Sequence, residues 1–306
     1  MRVVFAGSPE VALPTLRALS AARHTVVGVL TQPPRPVGRK QVSTPTPVAL
    51  LADELGLSVA TPETPDDVLL AVRDWSPDIA VVVAYGRLLG PTELSSVPHG
   101  WWNVHFSLLP KWRGAAPVPY AIAAGDDTTG VSVFRIEEGL DTGPVAHQRS
   151  CTIAPHDTAA TVLSRLADLA PELVLSLLED VDSGSLTLSA QDGDPSFAPK
   201  PSKEVGELRW SDSAENLYNQ MRAWGEEPGC FGIRDDTDQR VKIIHGWSDI
   251  ALGGLLPGAI AAHPEGVAVG TGTTALVLAA VQPAGKSVMD ARDWFRGLPP
   301  GVRFRA

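Results

Sequence analysis

Through the first 110 residues, apolar bursts alternate with amphipathic stretches. The runs 3–6, 25–30, 79–83 and 101–105 are rich in β-branched or aromatic residues and nearly continuous, not alternating. Such runs mark strands buried on both faces, as in a parallel sheet. Between them, residues 10–22, 47–55 and 65–75 space their apolar positions three and four apart, which predicts helices. Pro47 and Pro65 suit first-turn positions, with Thr46 and Thr64 as N-caps. Repeated β–α units predict an α/β fold with a doubly wound, mostly parallel, Rossmann-like sheet. A strand over 130–136, a short one over 151–153 and a helix over 157–181 follow. The helix carries Leu163, Leu166, Leu169, Leu173, Leu177 and Val181 at spacings of three and four.

Residues 191–205 contain Pro, Ser and Lys without periodicity and read as a linker. Beyond it the texture changes. A helix over 213–224 precedes short runs at 230–234, 241–245, 258–262, 266–269 and 276–281, punctuated by Gly, Pro and Asp. Short strands with turn residues predict a small β-barrel of about 100 residues. The expected organisation is a catalytic domain over 1–190, a linker over 191–205 and a C-terminal barrel over 206–306.

Composition narrows the classes. The longest purely apolar or aromatic runs, 79–85 and 275–281, fall far short of the ~20 residues a membrane-spanning helix needs, so no membrane partner is expected. Residues 1–10 do not read as a secretory leader. Two cysteines, Cys151 and Cys230, cannot form a disulfide framework, and a cytoplasmic location is expected. Net charge is −10, and residues 205–306 contribute −2 of it, from 10 basic and 12 acidic groups. A nucleic-acid partner therefore needs local basic patches. Gly7-Ser-Pro-Glu10 lacks the glycines of a dinucleotide fingerprint, so nicotinamide is not expected. The seven histidines show no metal-site pairing, and no metal is expected. A phosphate-binding P-loop and a serine-hydrolase elbow are both lacking.

What remains is the stretch 101–117. Asn103 and His105 lie two apart on a predicted strand and so share a face. They sit at its carboxyl end, where open α/β sheets build active sites. Asp141 follows in the glycine-bracketed loop 138–143. The trio suits acyl transfer onto an amine: His105 as base, Asn103 as oxyanion donor, Asp141 as the group that orients the imidazole. Spacing alone reads equally as a hydrogen-bonded strand edge with a turn aspartate.

Asn103-Val-His105, Ser107-Leu-Leu-Pro110, Trp112-Arg-Gly-Ala-Ala-Pro117 and Gly139-Leu-Asp-Thr-Gly143, in that order, resemble the folate-dependent formyltransferases. The likeness extends through Phe5-Ala-Gly-Ser-Pro9, Thr31-Gln-Pro33, Val81-Val-Val-Ala-Tyr-Gly86, Lys200-x-x-Lys203 and Gln282-Pro-Ala-Gly-Lys286. It implies Asn103, His105 and Asp141 as catalytic residues and 10-formyltetrahydrofolate as donor, held with the help of Ser107, Leu108, Leu109 and Pro110. Phe106 stands where the family commonly has glycine. Relatives differ in acceptor, which includes purine precursors, sugar-nucleotide amines and initiator methionyl-tRNA. The second domain and the basic segment 32–41 resemble those of members acting on methionyl-tRNA, which implies an oligonucleotide-binding (OB-like) barrel in the second domain and tRNA contacts from Arg35, Arg39 and Lys40. Arg209, Arg222, Arg240, Lys242, Arg292, Arg296, Arg303 and Arg305 are further candidates for phosphate binding. The segment 32–41 also reads as a solvated turn, and the barrel as a purely structural module. A monomer is expected.

Overall fold

A computed structural model describes residues 1–37, 41–249 and 251–306. The chain divides into two compact units. The first holds residues 1–117, 128–152 and 160–198; the second holds 118–127, 153–159 and 199–306.

The elements run β1 (Arg2–Gly7), α1 (Leu13–Ala21), β2 (Thr25–Leu30), β3 (Arg35–Val37), β4 (Val42–Thr44), α2 (Pro47–Glu54), β5 (Val59–Ala60) and α3 (Pro65–Trp75). Then come β6 (Ile79–Val83), α4 (Pro91–Leu94), β7 (Trp101–His105), α5 (Pro117–Ala123), β8 (Thr128–Arg135), β9 (Val145–Thr152) and α6 (Ala159–Ser183). Seven strands form one sheet in the order β5-β2-β1-β6-β7-β8-β9. It is parallel from β5 to β7, and β8 and β9 are antiparallel. From β1 the chain builds outward first through β2 and β5, then through β6 and β7. That reversal is the topological switch at which open sheets leave a crevice beyond their carboxyl ends.

The expected strands at 25–30, 79–83 and 101–105 stand as read, and β1 extends the expected 3–6 by a residue or so at each end. All five residues of β6 are buried, as an unbroken apolar run requires. The helix expected over 65–75 is α3. Its Thr64 and Asp67 form a capping box, and it ends on Ser76 in the left-handed region. Thr46 caps α2 through the Ala49 N–H. Gly28 is required by packing, because a Cβ there would lie 2.2 Å from the Trp75 ring.

Some elements differ from expectation. The strand expected at 151–153 is the end of β9, which begins at Val145. Its middle residues, Gln148, Arg149 and Ser150, are polar, so a strand at the sheet's edge carries no apolar signal there. The segment 32–41, expected as a loop, includes β3, which pairs antiparallel with β4. Val42–Thr44 of β4 and Arg35 and Pro36 of β3 are exposed, so neither pattern nor propensity marks these strands.

The second unit contains α7 (Ala214–Trp224), β10 (Cys230–Ile233), β11 (Arg240–Asp249), β12 (Ile260–His263), β13 (Gly266–Gly270), β14 (Ala275–Pro283), β15 (Met289–Asp290) and α8 (Ala291–Arg296). Its antiparallel sheet runs β10-β11-β14-β13-β12, with β15 on β14. Register shifts in β11 between Ile243 and Gly246 supply the bulges that curve such a sheet. The tail links its two edges: Phe304 bridges Arg234, and Arg303 bridges Ala259. The Phe304 ring stacks against Trp210 and Trp294, at 5.0 and 5.7 Å between centroids. This is the β-barrel texture expected of the second domain. Residues 118–127 and 153–159 also belong to this unit. Tyr120 packs edge-on against Trp224, and the Arg222 guanidinium donates to the Asp157 carbonyl at 2.8 Å. Among the described residues, no helix is long and apolar enough to cross a membrane.

Candidate active site

β7 places Asn103 and His105 at the carboxyl edge of the first sheet. Asn103 is in register with Val82 of β6 and Phe134 of β8, and His105 with Ser132. His105 is 4% exposed and Asn103 half-buried. Among the described residues nothing hydrogen-bonds the Asn103 amide, which leaves a donor in the first sheet free for a ligand oxygen.

After His105 the chain turns tightly. The Ser107 hydroxyl donates to the Lys111 carbonyl at 2.5 Å. Ser132 donates to the Ser107 carbonyl at 2.6 Å and accepts from the Leu109 N–H at 3.1 Å. Gln148 donates to the Leu109 carbonyl and to the Ser132 hydroxyl, both at 2.9 Å. The peptide bond between Leu109 and Pro110 is cis. Ser107, Leu109 and Pro110 are buried, while Leu108 is half-buried against Gly130. What this segment can present to a ligand is mainly the shape and backbone of the turn.

The turn returns the Trp112 carbonyl to within 2.8 Å of His105 Nε2. A carbonyl only accepts, so Nε2 carries the proton of the neutral ring and Nδ1 keeps the lone pair. Nδ1 faces Asp141 Oδ2 at 3.7 Å. That carboxylate oxygen also accepts from the Gly114 N–H at 2.7 Å. Asp141 has φ of +50°, a left-handed conformation that Asp tolerates better than most residues. Its neighbour Gly143 admits no side chain, because a Cβ would lie 1.8 Å from the Arg135 carbonyl oxygen. The imidazole meets the Phe134 ring edge-on, 6.4 Å between centroids.

Electrostatically the ring is held neutral. Burial pushes the His105 pKa below its ordinary 6.5, and the opposing pulls from Asp141 and the Trp112 carbonyl do not reverse this. A proton arriving at Nδ1 would meet the Asp141 carboxylate directly. The arrangement departs from a protease triad, in which the carboxylate holds one ring nitrogen and leaves the other for substrate. Here both nitrogens have partners within the site.

The structure thus brings together Asn103, His105, Asp141 and the turn 107–110. Arg35 lies in β3, exposed, its guanidinium donating to Gln32 Oε1 at 3.1 Å. Arg39 and Lys40 lie outside the described residues. Of the cations in the second unit, Arg292, Arg296, Arg303 and Arg305 pair with Asp290, Asp293, Asp235 and Asp238. Arg222 serves the fold, and Arg240 lies over the Phe231 ring at 4.1 Å. Arg209 and Lys242 have no ion pair among the described residues. The pairs arise across turns and helix ends, which net charge does not register. No group of three or more His, Cys, Asp or Glu among the described residues could hold a metal.

Sequence reading missed four contributors: the Trp112 carbonyl, the Gly114 N–H, Ser132 and Gln191. The Gln191 amide donates to the carbonyls of Asp141 and Gly143 at 2.7 and 2.9 Å. Backbone groups leave no trace in residue type, and Gln191 falls in the stretch read as a linker. Gly114 alone had a signal, as a glycine in the turn after β7.

Residues 1–178 match the family described as Formyl transferase, and residues 200–299 match the Formyl transferase C-terminal domain. The chain is 45% identical over 299 residues to the methionyl-tRNA formyltransferase of Paenarthrobacter aurescens, covering 97% of each chain. It is 46% identical over 301 residues to that of Mycobacteroides abscessus, again covering 97% of each. Among solved structures, WlaRD, a sugar 3N-formyl transferase, is similar with a TM-score of 0.68 and 16% identity, over 94% of this chain and 99% of that one. HypX from Aquifex aeolicus in complex with tetrahydrofolic acid is similar with a TM-score of 0.65 and 17% identity, over 96% of this chain and 47% of that one.

Proposed function

We infer that this chain, which belongs to the formyl transferase family, moves the formyl group of 10-formyltetrahydrofolate onto the free amino group of methionyl-tRNA. The product is N-formylmethionyl-tRNA, used to initiate translation. Near-full-length similarity to methionyl-tRNA formyltransferases is the observation that carries the acceptor. The paired geometry of Asn103, His105 and Asp141 supports the chemistry.

The folate co-substrate supplies an activated one-carbon acyl unit; the protein's own groups do the rest. Asn103, with its amide unengaged, donates to the formyl oxygen as negative charge develops there. One such donor is worth ~10²–10³ in kcat. His105, neutral and with its lone pair on Nδ1, takes the proton that the attacking amine loses. Asp141 and the Trp112 carbonyl then brace the imidazolium from both sides. As the C–N bond to the folate breaks, the same proton is returned to the leaving nitrogen, so no net proton is needed. No covalent nucleophile and no metal enter.

Ser107, Leu108, Leu109 and Pro110 are assigned to holding the folate through their turn. Arg35, Arg39 and Lys40 are assigned to the tRNA acceptor end, where guanidinium forks suit phosphate. The barrel over 206–306 is assigned to the body of the tRNA, with Arg209 and Lys242 among the described cations that hold no ion pair. We place the reaction in the cytoplasm, carried out by a monomer.

The test combines purified protein, 10-formyltetrahydrofolate and aminoacylated initiator tRNA, and scores N-formylmethionine on the tRNA. Product with the native chain and none with His105→Ala is expected. Folate release without formylation of the tRNA would overturn the assignment.

A further inference from the structure

We propose that Gln191 and Arg113 are positioning residues that hold both partners of His105, the Trp112 carbonyl and the Asp141 carboxylate, in place for formyl transfer. The proposal rests on the reading of the site given above.

The pattern of hydrogen bonds is specific. Arg113 follows Trp112 directly, so fixing Arg113 fixes the peptide whose carbonyl accepts from His105 Nε2. Its Nε and Nη2 both donate to Gln191 Oε1, at 3.1 and 2.7 Å. The other end of the same amide donates to the carbonyls of Asp141 and Gly143. One side chain therefore ties the loop that bears Trp112 to the loop that bears Asp141. All four hydrogen-bonding directions are used with the right polarity: the oxygen accepts twice from a guanidinium, the nitrogen donates twice to carbonyls.

The surrounding backbone reinforces the tie. The Ser196 hydroxyl accepts from the Trp112 N–H at 2.9 Å, and the Arg113 N–H donates to the Ser196 carbonyl at 2.8 Å. The Ala198 N–H donates to the Arg113 carbonyl at 2.8 Å, and Arg113 and Phe197 form a parallel bridge. Gly114 must be glycine for this approach: its φ is +122° and a Cβ would lie 2.6 Å from the Ala198 carbonyl oxygen. Residues 191–198, which carry no periodicity, thus form a strap along the turn after β7.

The strap bears on the charge that faces His105. Asp141 stands in a left-handed conformation, which Asp adopts more readily than most residues but which its surroundings must still select. Gln191 holds that residue's own carbonyl. Asp141 is the charged group facing the imidazole; the remaining groups against the ring are the Trp112 carbonyl and the Phe134 ring. Loosening Asp141 removes the one charge that favours imidazolium.

Gln191→Met, which keeps length and removes all four hydrogen bonds, should lower kcat by on the order of 10²-fold, the loss that a misplacement of about 1 Å carries. KM for folate and for methionyl-tRNA should change little. The acid limb of the kcat profile, and the titration of the His105 ring followed by NMR, should both move to lower pH. Arg113→Lys, which keeps the charge and removes the fork, should move each readout in the same direction by less. In an Asp141→Asn background, Gln191→Met should add almost nothing. A native His105 titration and native kcat in Gln191→Met would overturn the proposal, as would losses at Gln191 and Asp141 that simply multiply. If Gln191→Met does not fold, Arg113→Lys decides on the same readouts. If the native protein transfers no formyl group, the functional reading falls, yet the His105 titration still decides whether the strap holds Asp141.

Discussion

The two units handle their polar groups in opposite ways. Around His105, the described polar groups other than the Asn103 amide are committed by direction: carbonyl to Nε2, amide N–H to carboxylate, one glutamine to two loops. In the second unit several arginines are neutralised by neighbouring carboxylates, as Arg303 is by Asp235 and Arg292 by Asp290. Exposed pairs of this kind contribute little and yield to a competing phosphate. The difference separates two tasks. Proton transfer needs groups fixed to fractions of an ångström, whereas recognition of a polyanion needs charge that can be re-partnered.

Breaking the first region should have the largest consequences. His105→Ala and Asn103→Ala should each lower kcat by ~10²–10⁴-fold with the fold and folate affinity largely kept, since both act on the transition state. Asp141→Asn should approach those losses. Steady-state kinetics on the triple variant should show far less than the product of the single effects; full multiplication would mean three independent groups.

Arg39→Ala tests the assigned contact with the polyanion. It should depress kcat/KM for methionyl-tRNA severely and leave folate binding, read by fluorescence, unchanged. Arg209→Ala and Lys242→Ala should have smaller effects. Removing any one phosphate-binding cation should reduce the log–log salt slope by a little under ~1. Arg303→Ala, whose partner is Asp235, should do less again. Equal effects of Arg209→Ala, Lys242→Ala and Arg303→Ala would dissolve the distinction between unpaired and paired cations.

The pH profile comes next. On the proposed role of His105 as base the active form is the neutral ring, and burial holds its pKa below 6.5. Formyl transfer should therefore be flat through neutrality and fall only as pH drops through a value beneath 6.5. A limb at or above 6.5 would show a ring that is solvated or gripped more strongly by Asp141. The smallest expected effect is that of EDTA, which should leave the rate unchanged apart from any Mg²⁺ that the tRNA needs for its own folding. Elemental analysis finding a stoichiometric metal would contradict this.

The same contrast explains what could be read from residues alone. The central strands were legible because a strand buried on both faces must be apolar throughout, as 79–83 is. That Asn103 and His105 share a strand face was legible from their spacing; their assignment with Asp141 to catalysis came from the resemblance, since spacing alone read equally as a strand edge with a turn aspartate. The hydrogen bond from His105 Nε2 was not, because a backbone carbonyl is the same in every residue. Nor was Gln191, whose role depends on where a segment without periodicity runs. β9 and the hairpin of β3 and β4 escaped because exposed polar strands lack an apolar signature. The pairing of arginines with aspartates two or three residues away, or across the fold as for Arg303 and Asp235, is a fact of three dimensions, and formal charge hides it.

A fixed catalytic cluster and a re-partnerable recognition surface should respond differently to the acceptor and to salt. The most direct test is kcat/KM for initiator methionyl-tRNA beside that for a small free amine such as methionine methyl ester, with the same folate donor, at low and at high salt. The tRNA should be preferred by orders of magnitude, and raising the salt should erode that preference while leaving the slow reaction of the ester unchanged. Equal rates for both acceptors, or a preference indifferent to salt, would contradict the division.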